Sequence, residues 1–116
     1  MAADARQLDA LFATIAARKG SDPASSYTAR LMSGGAPLCA RKLGEEAIET
    51  VIATMSGDRA AIVAESADLL YHWLVTLAAL NIEPSSVYSE LARREGQSGI
   101  EEKASRPQNN TPGKAE

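Results

Sequence analysis

The sequence predicts an all-α fold, on the grounds of its length, its composition and the spacing of its apolar residues. A chain of 116 residues is the size of one domain, and a hydrophobic content of 45% allows it a modest core. Aromatic residues make up only 4% of the chain, and its many Ala, Leu, Ile and Glu residues favour helices over a sheet. Apolar residues also recur every three or four positions, which is typical of amphipathic helices. We therefore expect a bundle of about four helices.

The first predicted helix covers about Asp4 to Ala17 and carries one apolar stripe. The residues of that stripe are Leu8, Leu11, Phe12 and Ile15. Gly20 and Pro23 then break the pattern. The next stretch, SSYTARLMSGG, is expected to be a connector with about one helical turn, because its two glycines and Pro37 interrupt the chain.

A second and a third helix are predicted on either side of a turn at Ser56-Gly57-Asp58. The second extends from Leu38 to Met55. Its inward-facing residues are expected to be Leu43, Ala47, Ile48, Val51 and Met55. The third extends from Arg59 to about Leu80, with Asp58 as a candidate N-cap. Because its apolar residues surround most of its circumference, we expect it to be buried on nearly every side.

The rest of the chain is predicted to hold one short helix and a tail. Pro84 and a capping serine precede the helix, which extends to about Glu95. We expect a single domain over residues 1–106. The last residues, 107–116, are polar, contain Pro and Gly and lack apolar periodicity, so we expect them to be disordered.

Charge and composition exclude several classes of function. The formal net charge is -3 and no segment is dominated by Lys and Arg, so we expect no binding to nucleic acid. No apolar run matches a secretory signal or a membrane span. Cys39 is the only cysteine, which excludes an intramolecular disulfide and fits a reducing compartment. The sequence thus predicts a soluble, cytoplasmic protein with no membrane partner.

Five acidic residues of the second and third helices are the candidate functional groups. Glu45, Glu46 and Glu49 share one face of the second helix, and by themselves they would fit an ordinary solvated surface. Glu65 and Asp68 are one turn apart on the third helix, among apolar residues. An unpaired carboxylate in such surroundings costs several kcal/mol, so these two acids need a partner.

The positions of the acids relative to the turn indicate that the acids of the two helices are partners of each other, bridged by a divalent cation. Glu49 lies eight residues before Gly57 and Glu65 eight residues after it, so the two are level in an antiparallel hairpin. Glu46 and Asp68 are each eleven residues away. Four carboxylates without His or Cys at matching spacing form an all-oxygen site, which favours Mg²⁺ or Mn²⁺ over Zn²⁺. Because Mg²⁺ sites commonly include substrate phosphates, a phosphorylated substrate is expected.

The same acids lie within longer stretches that resemble a known family. The pattern Glu45-Glu46-x-x-Glu49, followed by Glu65-x-x-Asp68, resembles the signature of the MazG-like all-α NTP pyrophosphohydrolases. The flanking stretches resemble the phosphoribosyl-ATP pyrophosphohydrolase family of histidine biosynthesis; they read SYTARLMSGG, RKLGEEAIETVIA, ESADLLYHWLV and VYSELARREGQSGIEEKASR. The resemblance covers about residues 8–106, and no acid of the signature is missing.

This resemblance implies a fold, a reaction and a site. It implies a MazG-like helical bundle that is completed by homodimerisation. It also implies Mg²⁺-dependent hydrolysis of phosphoribosyl-ATP to phosphoribosyl-AMP and pyrophosphate. The metal ligands that it implies are Glu46, Glu49, Glu65 and Asp68. Glu45 either orients or deprotonates the attacking water, or it binds a second metal. The candidate catalytic residues are Glu45 and Glu49.

Five further residues are candidates for supporting roles. Lys42 either contacts substrate phosphate or forms an ion pair with the acids one turn further on. His72 either orients the aspartate one turn before it or is a hydrogen-bonded core residue. Tyr27 and Arg30 either close over the substrate or make local packing contacts. Lys103 either meets the polyphosphate or is a solvated surface residue.

Two other functions remain open on the sequence alone. One keeps the fold and the metal site but replaces the substrate with an ordinary nucleoside triphosphate, as in house-cleaning relatives of the superfamily. The other is a non-catalytic helical dimerisation module, whose acids face solvent or pair with Lys and Arg. The two acids on an otherwise apolar helix favour an enzyme over such a module.

Overall fold

The computed structural model describes residues 3–97 and 99–107, and every regular element within them is a helix. The helices are α1 (Arg6–Ala17), α2 (Tyr27–Ser33), α3 (Gly35–Ser56), α4 (Arg59–Ala79), α5 (Pro84–Arg94) and α6 (Gly99–Ser105). The predicted all-α class is therefore confirmed. None of the described helices is both long and apolar enough to cross a membrane.

Two helices were not expected. The predicted connector contains α2, whose first turn is capped by Ser26, because the Ser26 hydroxyl accepts a hydrogen bond from the backbone N–H of Ala29 at 3.1 Å. The second, α6, has only seven residues. Both helices are too short for apolar periodicity to reveal them, which is why about four helices were predicted and six are present in the described part of the chain.

The two glycines after α2 join that helix directly to α3 instead of interrupting the chain. Gly35 has a positive φ of 74°, a conformation that glycine adopts without strain, and α3 begins there, three residues before its predicted start. Pro37 lies in the first turn of α3, where a missing N–H leaves no helical hydrogen bond unmade. A Cβ on Gly34 would overlap the side chain of Leu38, so this position leaves no room for a larger residue.

The turn between α3 and α4 has the predicted caps. Gly57 ends α3 in the left-handed conformation, with a φ of 75°. The Asp58 carboxylate then accepts hydrogen bonds from the N–H groups of Ala60 and Ala61, at 3.0 and 3.4 Å. The prediction that Asp58 caps the next helix is confirmed. In this hairpin, α3 and α4 form the most extensive helix pair of the described residues.

The chain divides into two compact units, Met1–Pro84 and Ser85–Glu116. The core of the first unit is formed by residues from α1 to α4: Ile15, Leu31, Cys39, Leu74, Val75 and Ala78. In the second unit, Glu90 of α5 binds Arg93 and Arg94, and these hydrogen bonds lower the pKa of Glu90 to about 2. The single domain over 1–106 stays a prediction. The expected disorder of 107–116 falls, beyond Pro107, outside the described residues.

The prediction of inward-facing residues on α3 is wrong for the C-terminal half of that helix. Ile48, Val51 and Met55 are 63%, 61% and 82% exposed, and the neighbouring Ile52 is 64% exposed. Within the described residues α1 packs on α4, while α2 contacts both α3 and α4. Within the first compact unit, α1, α2 and α4 therefore leave this face of α3 uncovered.

The expectation that the third predicted helix is buried on nearly every side is also wrong. In α4, Val63 is 69% exposed and Leu70 is 43% exposed. The most deeply buried residues of the helix, such as Leu74 and Val75, lie in its C-terminal half, where α1 and α2 supply core partners. The N-terminal half has α3 on one side and an uncovered apolar surface on another.

Candidate metal centre

The α3–α4 hairpin brings three of the predicted ligands together. One carboxylate oxygen from each of Glu46, Glu49 and Glu65 lies within 4.8 Å of the others. Glu46 and Glu49 are one turn apart on α3, and Glu65 faces them from α4. The level pairing of Glu49 and Glu65 counted from Gly57 is therefore observed, while their role as metal ligands stays a prediction.

Asp68, the fourth predicted ligand, lies beside this cluster rather than within its 4.8 Å range. It is exposed, one turn along α4 from Glu65. Its negative charge nevertheless raises the pKa of both Glu46 and Glu65, so it belongs to the same electrostatic site.

The cluster places carboxylates against one another. Partial burial raises the pKa of Glu46 and of Glu65, and the adjacent carboxyl of Glu49 raises both further. His72 has the opposite effect and lowers the pKa of Glu46. The Oε2 atom of Glu46 is buried and has no hydrogen-bond partner among the described residues. A divalent cation would supply both the missing partner and the missing positive charge, so the donor set fits Mg²⁺ or Mn²⁺.

Glu45 lies outside the cluster and is paired with basic residues of its own helix. Lys42 Nζ lies 3.4 Å from Glu45 Oε1, and Arg41 Nε lies 3.9 Å from Glu45 Oε2. Half of the Glu45 side chain is exposed. Of the two alternatives for Lys42, the structure shows the intrahelical ion pair. Catalysis by Glu45 and phosphate binding by Lys42 remain predictions.

His72 is a hydrogen-bonded core residue. It is only 6% exposed, and its Nδ1 lies 2.8 Å from the backbone carbonyl oxygen of Asp68. Because a carbonyl oxygen can only accept a hydrogen bond, Nδ1 carries the hydrogen. The bond is made to the helix backbone and not to the carboxylate of Asp68. The Nε2 atom is buried without a partner in the described part of the chain. The rings of Tyr27 and Tyr71 meet the imidazole edge-on, with centroids 6.4 and 5.0 Å away.

The remaining predicted substrate contacts are placed on different helices. Tyr27 and Arg30 are exposed residues of α2, and the Tyr27 ring reaches His72. Arg30 Nε donates to the carbonyl oxygen of Pro23 at 3.3 Å, which is a local contact. Lys103 is an exposed residue of α6, in the second unit. The structure thus brings Tyr27 close to the hairpin and leaves substrate binding by all three as a prediction.

One residue of this site was missed by the sequence reasoning. Thr50 follows Glu49 in α3, and its hydroxyl lies 2.8 Å from the carbonyl oxygen of Glu46 and 3.1 Å from that of Glu65. A helical threonine commonly bonds the carbonyl four residues earlier, so the first contact could have been expected. The second contact requires the close approach of α4, which no local pattern reveals.

A helical hairpin with this acid set defines the class of MazG-like all-α pyrophosphohydrolases. Residues 8–95 match the family described as Phosphoribosyl-ATP pyrophosphohydrolase. The phosphoribosyl-ATP pyrophosphatase of Parvibaculum lavamentivorans is 67% identical over 91% of this chain and 97% of its own length. The enzyme of the same name from Ruegeria pomeroyi is 59% identical over 84% of this chain and 92% of its own length. The chain belongs to the phosphoribosyl-ATP pyrophosphohydrolase family of histidine biosynthesis, which confirms the resemblance.

Proposed function

We propose that this chain hydrolyses phosphoribosyl-ATP to phosphoribosyl-AMP and pyrophosphate, with Mg²⁺ as its cofactor. The observation that supports this most directly is the convergence of Glu46, Glu49 and Glu65 on the α3–α4 hairpin. In a chain of this family, a carboxylate cluster with a buried, unpartnered oxygen is best explained as a cation site for a phosphorylated substrate.

Four residues would hold the metal in this proposal: Glu46, Glu49, Glu65 and Asp68. Bound there, Mg²⁺ would neutralise the charge of the phosphates and lower the pKa of an attacking water. Mn²⁺ has the same preference for carboxylate oxygens and is the expected substitute.

The remaining candidate residues would act on the attacking water or contact the substrate. In the reaction, the hydroxyl of water bonds to one of the two phosphorus atoms of the α–β anhydride, the bond from that atom to the bridging oxygen breaks, and the bridging oxygen stays on the other product, which gives phosphoribosyl-AMP and pyrophosphate. Glu45, or Glu49 beside the cluster, would accept the proton of that water. Lys42 would leave its ion pair with Glu45 to meet a phosphate, which would free Glu45 for this role. Tyr27, Arg30 and Lys103 are the further candidates for substrate contacts.

A homodimer is part of this proposal. Four large apolar residues are exposed on one stripe of α3: Ile48, Val51, Ile52 and Met55. Val63 of α4, which is level with Val51 across the turn, is exposed as well. An apolar surface of this kind is typical of a contact between subunits, and a second copy would bury it by a two-fold arrangement. We also propose that the protein acts in the cytoplasm, on a small-molecule substrate.

The experiment that tests the function compares substrates under one set of conditions. Phosphoribosyl-ATP, ATP and dCTP are supplied at equal concentration with Mg²⁺, and pyrophosphate release is measured. Faster release from phosphoribosyl-ATP is expected, and faster release from a plain nucleotide would falsify the assignment in favour of a house-cleaning enzyme.

The same preparation is titrated with Mg²⁺ by calorimetry. Glu49→Gln is expected to lose both Mg²⁺ binding and turnover because it removes the central carboxylate of the cluster. Glu83→Gln is the matched control, since Glu83 is an exposed acid in the loop after α4. Absence of Mg²⁺ binding and turnover in the wild type would favour the non-catalytic dimerisation module.

A further inference from the structure

Thr50 joins the two helices that carry the acids. It is half-buried on α3, one residue after Glu49. Its Oγ1 lies 2.8 Å from the carbonyl oxygen of Glu46, on its own helix, and 3.1 Å from the carbonyl oxygen of Glu65, on α4. A hydroxyl has one hydrogen to donate, so that hydrogen is shared between the two carbonyls in a three-centre bond.

This bond links α3 to α4 at the level of the acids. A threonine hydroxyl is only two bonds from the backbone, so it reaches the Glu65 carbonyl only if the two helix backbones are close. Apart from the contact between Glu49 and Glu65, it is the one side-chain hydrogen bond from α3 to α4 in the described part of the chain.

The acids alone would not hold this arrangement. Like charges on Glu46, Glu49 and Glu65 repel one another, which favours separation of the helices or sliding of one along the other. A slide by one residue moves a side chain about 1.5 Å along the helix axis. Metal–oxygen distances are reproduced within roughly 0.2 Å in genuine sites, so even a fraction of such a slide would disperse the ligands.

We propose that Thr50 is a positioning residue for the carboxylate site. Its shared hydrogen bond holds the backbones of α3 and α4 together at Glu46 and Glu65, so that their carboxylates and that of Glu49 converge before any cation is bound. The inference rests on the metal site of the proposed function, and it adds a residue that itself contributes no metal ligand.

Thr54 provides a matched control within the same helix. Its hydroxyl lies 2.8 Å from the carbonyl oxygen of Thr50, the same bond to the fourth preceding residue that Thr50 makes to Glu46. Thr54 is exposed, and its side chain makes no hydrogen bond to α4 in the described structure. A substitution at Thr54 therefore changes the intrahelical bond alone, whereas one at Thr50 also changes the bond between helices.

The test measures the Kd for Mn²⁺ of the full-length chain by calorimetry, with thermal unfolding in EDTA recorded in parallel. Thr50→Val keeps the shape of the side chain and removes the hydroxyl. It is expected to raise the Kd about tenfold or more, as loss of groups that orient metal ligands does. Thr50→Ser, which keeps the hydroxyl, and Thr54→Val are expected to bind Mn²⁺ as tightly as the wild type.

The outcomes separate this inference from the proposed function. A folded Thr50→Val chain with the Kd of the wild type overturns the role of Thr50, whatever its melting temperature. If Thr50→Val does not fold, Thr50→Ser and Thr50→Ala are compared, and equal Kd values for these two overturn it as well. A wild-type chain that binds no Mn²⁺ overturns the proposed metal site and this inference with it.

Discussion

Glu49 lies between the other two acids of the cluster, and its carboxyl group raises the pKa of both Glu46 and Glu65. Burial is the larger cause of each pKa shift, but burial by itself gives no reason for a cation to bind. The contact between the carboxyl groups does give a reason, because two ionised carboxylate oxygens this close repel each other unless a proton or a cation lies between them. The carboxyl group that would join the other two acids around a cation therefore also disfavours the metal-free fold.

This conflict predicts a pH dependence in the metal-free protein. An acid whose pKa is higher in the folded chain than in the unfolded chain weakens the fold once it ionises. For Glu46 and Glu65 this penalty is absent below the ordinary value of 4.5 and complete above their raised pKa values. Glu49→Gln removes the part of this penalty that Glu49 causes. In EDTA its melting temperature is therefore expected to equal that of the wild type below the ordinary pKa of 4.5 and to exceed it increasingly as the pH rises through the raised pKa values of Glu46 and Glu65.

Differential scanning fluorimetry across this pH range measures the effect. Glu83→Gln is the control, and its melting temperature should differ from that of the wild type by a constant amount. In Mg²⁺ the order should reverse at neutral pH, because only the wild type gains stability from the ligand. A Glu49→Gln chain that melts below the wild type in EDTA at every pH would contradict the repulsion.

At the scale of the elements, the hairpin turn determines which residues of α3 and α4 are level. Gly57 ends α3 with a positive φ, and Asp58 caps α4 directly after it. No residue separates the two caps, so neither helix can lengthen at the turn without losing one of them. The distance of each acid from the turn then decides its position along the hairpin.

The stability of this turn is expected to depend on the glycine at its centre. Gly57→Ala places a Cβ in the left-handed conformation and should lower the free energy of unfolding by about 1 kcal/mol. Gly44→Ala is the matched control, since Gly44 lies inside α3 and an added Cβ there meets no atom within 4 Å. It should raise the free energy of unfolding by roughly 0.5–1 kcal/mol. Urea denaturation measures both, and equal destabilisation by the two substitutions would show that backbone conformation is not the cause.

At the scale of the whole molecule, the exposed apolar stripe of α3 is the main feature that one chain leaves unexplained. Ile48, Val51, Ile52 and Met55 recur at three- and four-residue spacing, as buried residues do. Each is more than half exposed. At about 25 cal/mol for each Å² of apolar surface removed from water, covering such a stripe favours association.

A charge within this stripe is therefore expected to prevent dimerisation. Ile52→Asp should shift the sedimentation coefficient from that of a dimer to that of a monomer, because an unpaired carboxylate is costly to bury between subunits. Ile82→Asp is the control, since Ile82 is also exposed but follows α4 at the end of the hairpin away from the turn. A wild-type chain that sediments as a monomer, or an Ile52→Asp chain that remains a dimer, would contradict the proposed assembly.

Much of the fold and of the candidate site follows from the sequence by itself. The helical class, the turn at Gly57 and the level positions of Glu49 and Glu65 depend on composition, capping residues and a constant rise per residue. These are properties of single helices and of the count of residues along the chain. They hold whatever packs around the hairpin, which is why counting residues from the turn is enough to pair the acids.

Only the tertiary structure decided which faces are covered and which polar groups meet. Apolar spacing predicts that Ile48 and Val51 are buried, but whether a helix lies over them depends on where α1 and α2 pack. The pairing of Glu45 with Lys42 and the reach of Thr50 to α4 likewise depend on rotamers and on helix separation. The spacing along a helix defines a face, and the partner of that face is a property of the packed molecule.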